Sequence, residues 1–277
     1  MFVYNTRKLV LPFYKRHKAI GAFNVYNDLF FDVVLRSAEF LKAPVIIQVS
    51  PKTLKYFPLD YFVSLAKTAD KIFKIPFSLH LDHGDEELAI KCLEKGFCSV
   101  MIDASNLSLE ENIKITKKIV KIAKRFRAAV EAELGQMTHS GEKIDKRKLT
   151  SPEEAEVFVK ETNVDFLAVS VGTQHGMSKF GGKEHIFFDH LEKIFKVVKI
   201  PLVLHGASGV SREELIEARK FGIAKVNFDT SIRKIFTHIL RKYLSSNLDI
   251  DDPRIYLKEA LKGVENLVKG KISILKS

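Results

Sequence analysis

Long apolar runs are missing from this 277-residue chain, and cysteine is scarce. No run reaches the roughly 18 residues that a bilayer-spanning helix needs. The opening stretch MFVYNTRKLVLPFYKRHKAIGAF has a short apolar patch between basic residues, but no h-region leading to a small-residue cleavage site. A cytoplasmic location, with no membrane contact, is therefore expected. The two cysteines, Cys92 and Cys98, fit neither a CxxC redox pair nor a zinc knuckle. At this size no disulfide scaffold is needed, so two reduced thiols are expected. No linker or low-complexity tract breaks the composition. That predicts one domain over 1–277, ending in a helical segment from about residue 252.

What is present is a soluble composition: 46% hydrophobic and 29% charged residues, enough for a sizeable core. The formal net charge is +11, which suits either nucleic acid or small anions. The lysines are spread through segments such as ITKKIVKIAKRFR, alternating with Ile and Val at helical spacing. That is a solvated helix face, so no nucleic-acid partner is expected.

Short β-branched runs recur at 19–25, 44–49, 77–81, 99–102, 128–134, 166–171, 202–204 and 225–228. Amphipathic stretches such as LFFDVVLRSAEFLK and EELAIKCLEKG lie between them. Helix starts are marked by Pro152 in TSPEEAEVFVKET and by the Ser211 and Glu214 pair in SREELIEARKFG. Eight strands alternating with helices predict an α/β fold, a (β/α)8 TIM barrel, with a doubly wound open sheet as the alternative. Almost every strand run ends in a polar or glycine-rich group, among them LDHG, EAELG, VGTQHG, LHGASG and NFDT. A closed barrel gathers such ends around one mouth, where these barrels place their active sites.

Three of those ends carry a histidine followed by glycine: His83, His175 and His205. A strand-end histidine is equally a capping or core residue, but three together match the ligand set of a catalytic Zn²⁺ with one open position. Co²⁺, Fe²⁺ or Mn²⁺ would also suit such a set. A separate signal concerns phosphate. Gly206, Ala207, Ser208 and Gly209 lie between a strand end and a helix start, and Asn227, Asp229, Thr230 and Ser231 follow the last strand. Small residues expose backbone N–H groups there, and loops after strands seven and eight are the usual phosphate site of such barrels. Lys179 offers a cation to the same anion.

In order along the chain, GAFNVYN, HLDHG, SVMIDAS, EAELG, VGTQHG, LVLHGASG, KVNFDT and DPRIYL resemble the motifs of the class II, metal-dependent fructose-bisphosphate aldolases, most of all the shorter tagatose-bisphosphate type. The resemblance covers nearly the whole chain. It implies a glycolytic lyase that reversibly cleaves a ketose 1,6-bisphosphate into dihydroxyacetone phosphate and glyceraldehyde 3-phosphate. By the same resemblance His83, His175 and His205 are zinc ligands, and Glu133 takes a second or displaced metal position. Zinc would act as a Lewis acid on the ketone. Asp82 matches the acid/base at the C4 oxygen. Asn24, Ser50, Gly176, Lys179, Gly206, Ala207, Ser208, Asn227, Asp229 and Thr230 match substrate and phosphate positions, where a monovalent cation is also implied. Arg254 matches an arginine that reaches the far phosphate from a neighbouring subunit, implying a homodimer or homotetramer.

One segment departs from the family pattern. EAELG is followed here by QMTHSGEKIDKRK, with Thr138 and His139 where a glycine pair is expected and Gly141 where the proton-abstracting acid is expected. Glu142, one residue on, is the candidate base, with His139 second. A phosphosugar-binding barrel with impaired turnover is the corresponding alternative function.

Overall fold

The computed structural model describes residues 1–136, 145–174 and 185–277. From the N-terminus these form α1 (Arg7–Tyr14), β1 (Ile20–Asn24), α2 (Asp28–Phe40), β2 (Val45–Val49), α3 (Pro51–Leu54), α4 (Leu59–Ile72) and β3 (Phe77–Gly84). Next come α5 (Glu86–Lys95), β4 (Ser99–Ile102), α6 (Leu109–Phe126), β5 (Ala129–Leu134), α7 (Pro152–Thr162) and β6 (Phe166–Val169). The chain finishes with α8 (Phe188–Val197), β7 (Leu202–Leu204), α9 (Arg212–Ala218), β8 (Ile223–Phe228), α10 (Thr230–Ser246) and α11 (Pro253–Lys276).

Each strand pairs in parallel with the next, and β8 closes on β1 with Asn227 opposite Ala22. The sheet is therefore a closed (β/α)8 barrel, and the open-sheet alternative falls. The helices start where local chemistry allows. Asn27 accepts from two N–H groups of α2, Ser108–Glu111 and Ser211–Glu214 form capping boxes, and Pro152 sits in the first turn of α7.

Strand parity sorts the core. On β3, Phe77, Leu79 and Leu81 pack outward with the surrounding helices' apolar faces. Ser78, His80 and Asp82 have the opposite parity and are also buried, so they fill the interior. At the bottom, Leu9 and Val10 of α1 cluster with Ile20, Ile46, Met101 and Phe166 and seal the barrel. Cys92 and Cys98 are free and buried. No helix among the described residues is long and apolar enough to cross a membrane.

Two local features bear on function. The sequence predicts that β3 stops at Leu81; it continues instead through Gly84, with a register shift against β4 between Leu81 and Gly84. Within that irregularity His83 has φ 55°, which is uncommon for a residue with a Cβ. A Cβ on Gly84 would lie 2.3 Å from a methyl of the buried Leu81, which would have to move to admit it. Second, α10 packs along α11, yet its buried residues are confined to Ser231 and Ile232. Leu244 near the end of α10, Leu248 in the joining turn and Ile255 at the start of α11 are exposed.

Candidate active site

The broken alternation of β3 answers how two adjacent residues reach one mouth. Asp82 points inward by parity, and the left-handed backbone at His83 swings the next side chain to the same side. Both line a cavity of about 360 Å³ at the C-terminal ends of the strands, together with His205. Asn24, Ser50, Gly206, Ser208, Asn227, Asp229 and Thr230 line the same cavity, as does Arg233, which sequence reasoning missed.

The two imidazoles meet through specific nitrogens. His83 Nε2 lies 3.0 Å from His205 Nδ1. The remaining nitrogens face carboxylates: His83 Nδ1 is 2.7 Å from Asp103 Oδ2, and His205 Nε2 is 2.9 Å from Glu131 Oε1. An ionised carboxylate only accepts, so each outer nitrogen carries a proton, and His205 Nδ1 faces the cavity with its lone pair. That is how ligating histidines are usually oriented. Asp103 is fixed in turn by the N–H and hydroxyl of Ser105.

Asp82 is held as an acceptor from both sides. Asn24 Nδ2 donates to Oδ2 at 2.8 Å and Asn227 Nδ2 to Oδ1 at 3.3 Å. Gln48 Nε2 donates to Asn24 Oδ1 at 2.9 Å, which aims the Asn24 amide at Asp82. Burial pushes the Asp82 pKa up, but His83, His205, Lys225 and the Asn24 hydrogen bond outweigh it and keep the group below its ordinary value.

Two sets of donor atoms lie within 4.8 Å of one another: Asp82, His83 and His205, and His83, Asp103 and Glu133. Glu133 Oε2 is buried with no hydrogen-bond partner among the described residues, at 3.8 Å from His83 Nδ1. Burial raises the Glu133 pKa to about 8, with Asp103, Glu131 and Asp82 adding to it against His83. At His83 burial pulls the other way, yet Asp103, Asp82 and Glu133 lift the pKa to about 10. A pocket where two imidazoles converge beside an orphaned carboxylate oxygen, in a field that attracts positive charge, fits a divalent cation, which would displace the proton between the two rings.

The opposite wall suits an anion. Gly206 takes φ 65° and turns the chain into a short 3-10 segment over Ala207–Gly209. The Ser231 N–H donates to Ser208 Oγ, tying that turn to the start of α10. Asp229 precedes α10 without capping it; its carboxylate instead accepts from Tyr26 Oη at 2.5 Å and from Arg233 at 2.6 Å. The α10 N-terminus is left facing the cavity with Gly206, Ser208 and Thr230 around it.

Other expected residues are placed differently. Ala207 is buried and does not line the cavity, and Glu133 lies behind His83. Arg254 stands exposed at the start of α11, paired to Asp252 at 2.8 Å and not on the cavity wall. Glu142, His139, His175, Gly176 and Lys179 lie outside the described residues. Besides Arg233, sequence reasoning missed Gln48, Glu131 and Lys225. A charged residue inside an otherwise apolar strand, as in IAKVNF and AVEAEL, was the available signal.

Comparison with known proteins now decides the family. The family described as fructose-bisphosphate aldolase class-II matches residues 4–277. The chain belongs to that family. A fructose-bisphosphate aldolase of Thermus caldophilus is 38% identical, with 93% of each chain covered. One from Helicobacter pylori (strain ATCC 700392 / 26695) is 36% identical, covering 98% of this chain and 97% of the relative. Among solved structures, the YdjI aldolase of Escherichia coli K12 superposes with a TM-score of 0.86 at 30% identity, covering 100% of this chain and 98% of the other. Membership makes the protein a class II aldolase, a metal-dependent carbon–carbon lyase acting on sugar phosphates.

Proposed function

We propose that this aldolase cleaves fructose 1,6-bisphosphate reversibly into dihydroxyacetone phosphate and glyceraldehyde 3-phosphate, with zinc as the resident ion. The observation that carries the reading is the facing pair His83 Nε2 and His205 Nδ1, with Asp82 at its edge and an anion-binding helix start across the cavity. His83, His205 and His175 would hold the ion, Glu133 would take its displaced position, and Co²⁺, Fe²⁺ or Mn²⁺ would substitute for it. Bound there, it supplies Lewis-acid polarisation of the substrate's ketone oxygen.

The chain's own residues do the rest. Asp82, kept ionised and aimed by Asn24 and Asn227, takes the proton of the C4 hydroxyl as the C3–C4 bond breaks and the C4 oxygen becomes an aldehyde. In the reverse direction it returns that proton. The three-carbon fragment then needs a proton at C3, a role assigned to Glu142 with His139 as the second candidate. Gly206, Ser208, Asp229, Thr230, Gly176 and Lys179, with the α10 N-terminus, form the near-phosphate site, which the buried Ala207 supports from behind and to which a monovalent cation belongs. Asn24 and Ser50 face the substrate. Arg254 serves the far phosphate of a neighbouring subunit in a homodimer or homotetramer, and its exposed place at the start of α11, next to the exposed Ile255, supports that role.

Fructose and tagatose bisphosphates differ only at C4, the centre Asp82 serves. Cleavage of both epimers, followed by triose phosphate release, tests the assignment. Fructose 1,6-bisphosphate is expected to be the faster substrate. A faster tagatose epimer would move the assignment to that sugar. Tight binding without turnover would leave a phosphosugar-binding barrel impaired by its QMTHSGEK segment.

A further inference from the structure

Below the cavity floor, the barrel interior holds charge that the proposed chemistry does not use. Lys225, Glu131 and His80 are all fully buried, and lysine is almost never so unless paired. Lys225 Nζ donates to Glu131 Oε2 at 2.7 Å and lies 3.4 Å from His80 Nε2. His80 Nδ1 is 2.7 Å from Ser99 Oγ, and Ser99 Oγ is 2.6 Å from Thr6 Oγ1, which donates to Ser78 Oγ at 3.2 Å. The second oxygen of Glu131 faces His205 Nε2 at 2.9 Å.

The chemistry of the groups sets the direction of this line. An ammonium has only donors. Lys225 therefore donates to His80 Nε2, leaving the His80 proton on Nδ1 for Ser99, which hands on to Thr6. On the other branch Glu131 is an acceptor from both Lys225 and His205. One contact competes: Asn227 Nδ2 lies 3.1 Å from the same His205 Nε2. A charge-assisted bond to a carboxylate is about twice as strong as a neutral one, which favours the Glu131 partnership.

We propose that Lys225, acting through Glu131, is a positioning residue that fixes His205 as its Nε2–H tautomer and thereby sets the metal affinity of the site. The line from His80 through Ser99 to Thr6 anchors the ammonium from below. A stability role alone does not account for the pair, because buried ion pairs can often be replaced by apolar groups without loss. Its place directly under a ligating histidine does. The inference rests on the metal-dependent reading above.

Two measurements test it. The first uses the unmodified, chelator-treated protein: long-range ¹H–¹⁵N correlation of the imidazole rings reports the tautomer of each histidine. His205 is expected as the Nε2–H form near neutral pH. A dominant Nδ1–H form would mean that Asn227 donates to Nε2 and would overturn the proposal, with no substitution needed. The second uses the double variant Glu131→Gln/Lys225→Met, which removes both charges and leaves neither unpaired. Zinc affinity, measured by competition with a chromophoric chelator, is expected to fall about 10–100-fold. The visible spectrum of the cobalt-loaded variant should change with it, and Lys225→Arg alone, which keeps the charge beside Glu131, should retain most of the affinity. Zinc affinity within twofold of the parent in the folded double variant would overturn the inference. If the parent itself binds no divalent metal, the metal-dependent reading fails instead, and the tautomer measurement still decides the Lys225 assignment.

Discussion

Asp82 and His83 are neighbours in sequence with different proposed tasks, and one backbone torsion separates them. Asp82 reaches the cavity by ordinary strand parity, whereas His83 reaches it through a positive φ within a register shift. The residue types at the mouth were legible because HLDHG, LHGASG and NFDT concentrate polar groups at strand ends. The partners that orient them were not. Glu131 and Lys225 lie on distant strands, and their contact exists only once the barrel closes and both point inward. Arg233 was hidden for a similar reason, since helix α10 had no known rotation over the mouth. At this scale Asp82→Asn is informative, because it keeps the shape and removes the proton acceptor. Steady-state cleavage should show kcat reduced by about 10²–10⁴-fold. Bound metal and KM should stay near the parent's. Unchanged kcat would remove Asp82 from the acid/base role.

Among the elements, β3 carries the most function per residue. Its outward Phe77, Leu79 and Leu81 anchor it to the helices, and its inward Ser78, His80 and Asp82 span the barrel from floor to mouth. The alternation of FSLHLD was readable in the sequence; the extension to Gly84 was not, because a bulge leaves no periodic signature. His80 makes the strand pH-sensitive. Burial, then the nearby Lys225 charge, push its pKa down to about 3, against about 6.5 in an unfolded chain. Between those values the unfolded chain takes up a proton that the folded chain refuses. Stability from this group is therefore complete above about pH 6.5 and is lost as pH falls towards 3. Thermal unfolding of the parent and of His80→Gln, followed from pH 7 to pH 5, should show a smaller drop in Tm for the variant. Equal drops would place the acid sensitivity elsewhere.

For the whole molecule, closure of the barrel gathers the ends of β1, β2, β3, β7 and β8 around one cavity, and polar groups at the strand ends made this legible in the sequence. That α11 packs on the barrel while α10 lies along its outer side was not legible, since both helices are amphipathic and either could have taken the inner place. The exposed Leu244, Leu248 and Ile255 beside Arg254 suit a contact with a second copy. If Arg254 completes a neighbour's site, mixing the inactive Arg254→Ala and Asp82→Asn proteins should restore activity. In a two-fold dimer half the molecules would be mixed, each with one complete site, giving about a quarter of the parental rate. No recovery after subunit exchange would argue that Arg254 acts within its own chain or not at all. If this barrel cleaves a ketose bisphosphate by metal-dependent chemistry at His83, His205 and Asp82, removing the metal must abolish turnover. The rate of fructose 1,6-bisphosphate cleavage before chelation, after chelation and after Zn²⁺ is returned tests it most directly. The account predicts cleavage that is lost with the chelator, regained with zinc and indifferent to borohydride. Cleavage that survives chelation and is abolished by borohydride in the presence of substrate would contradict it.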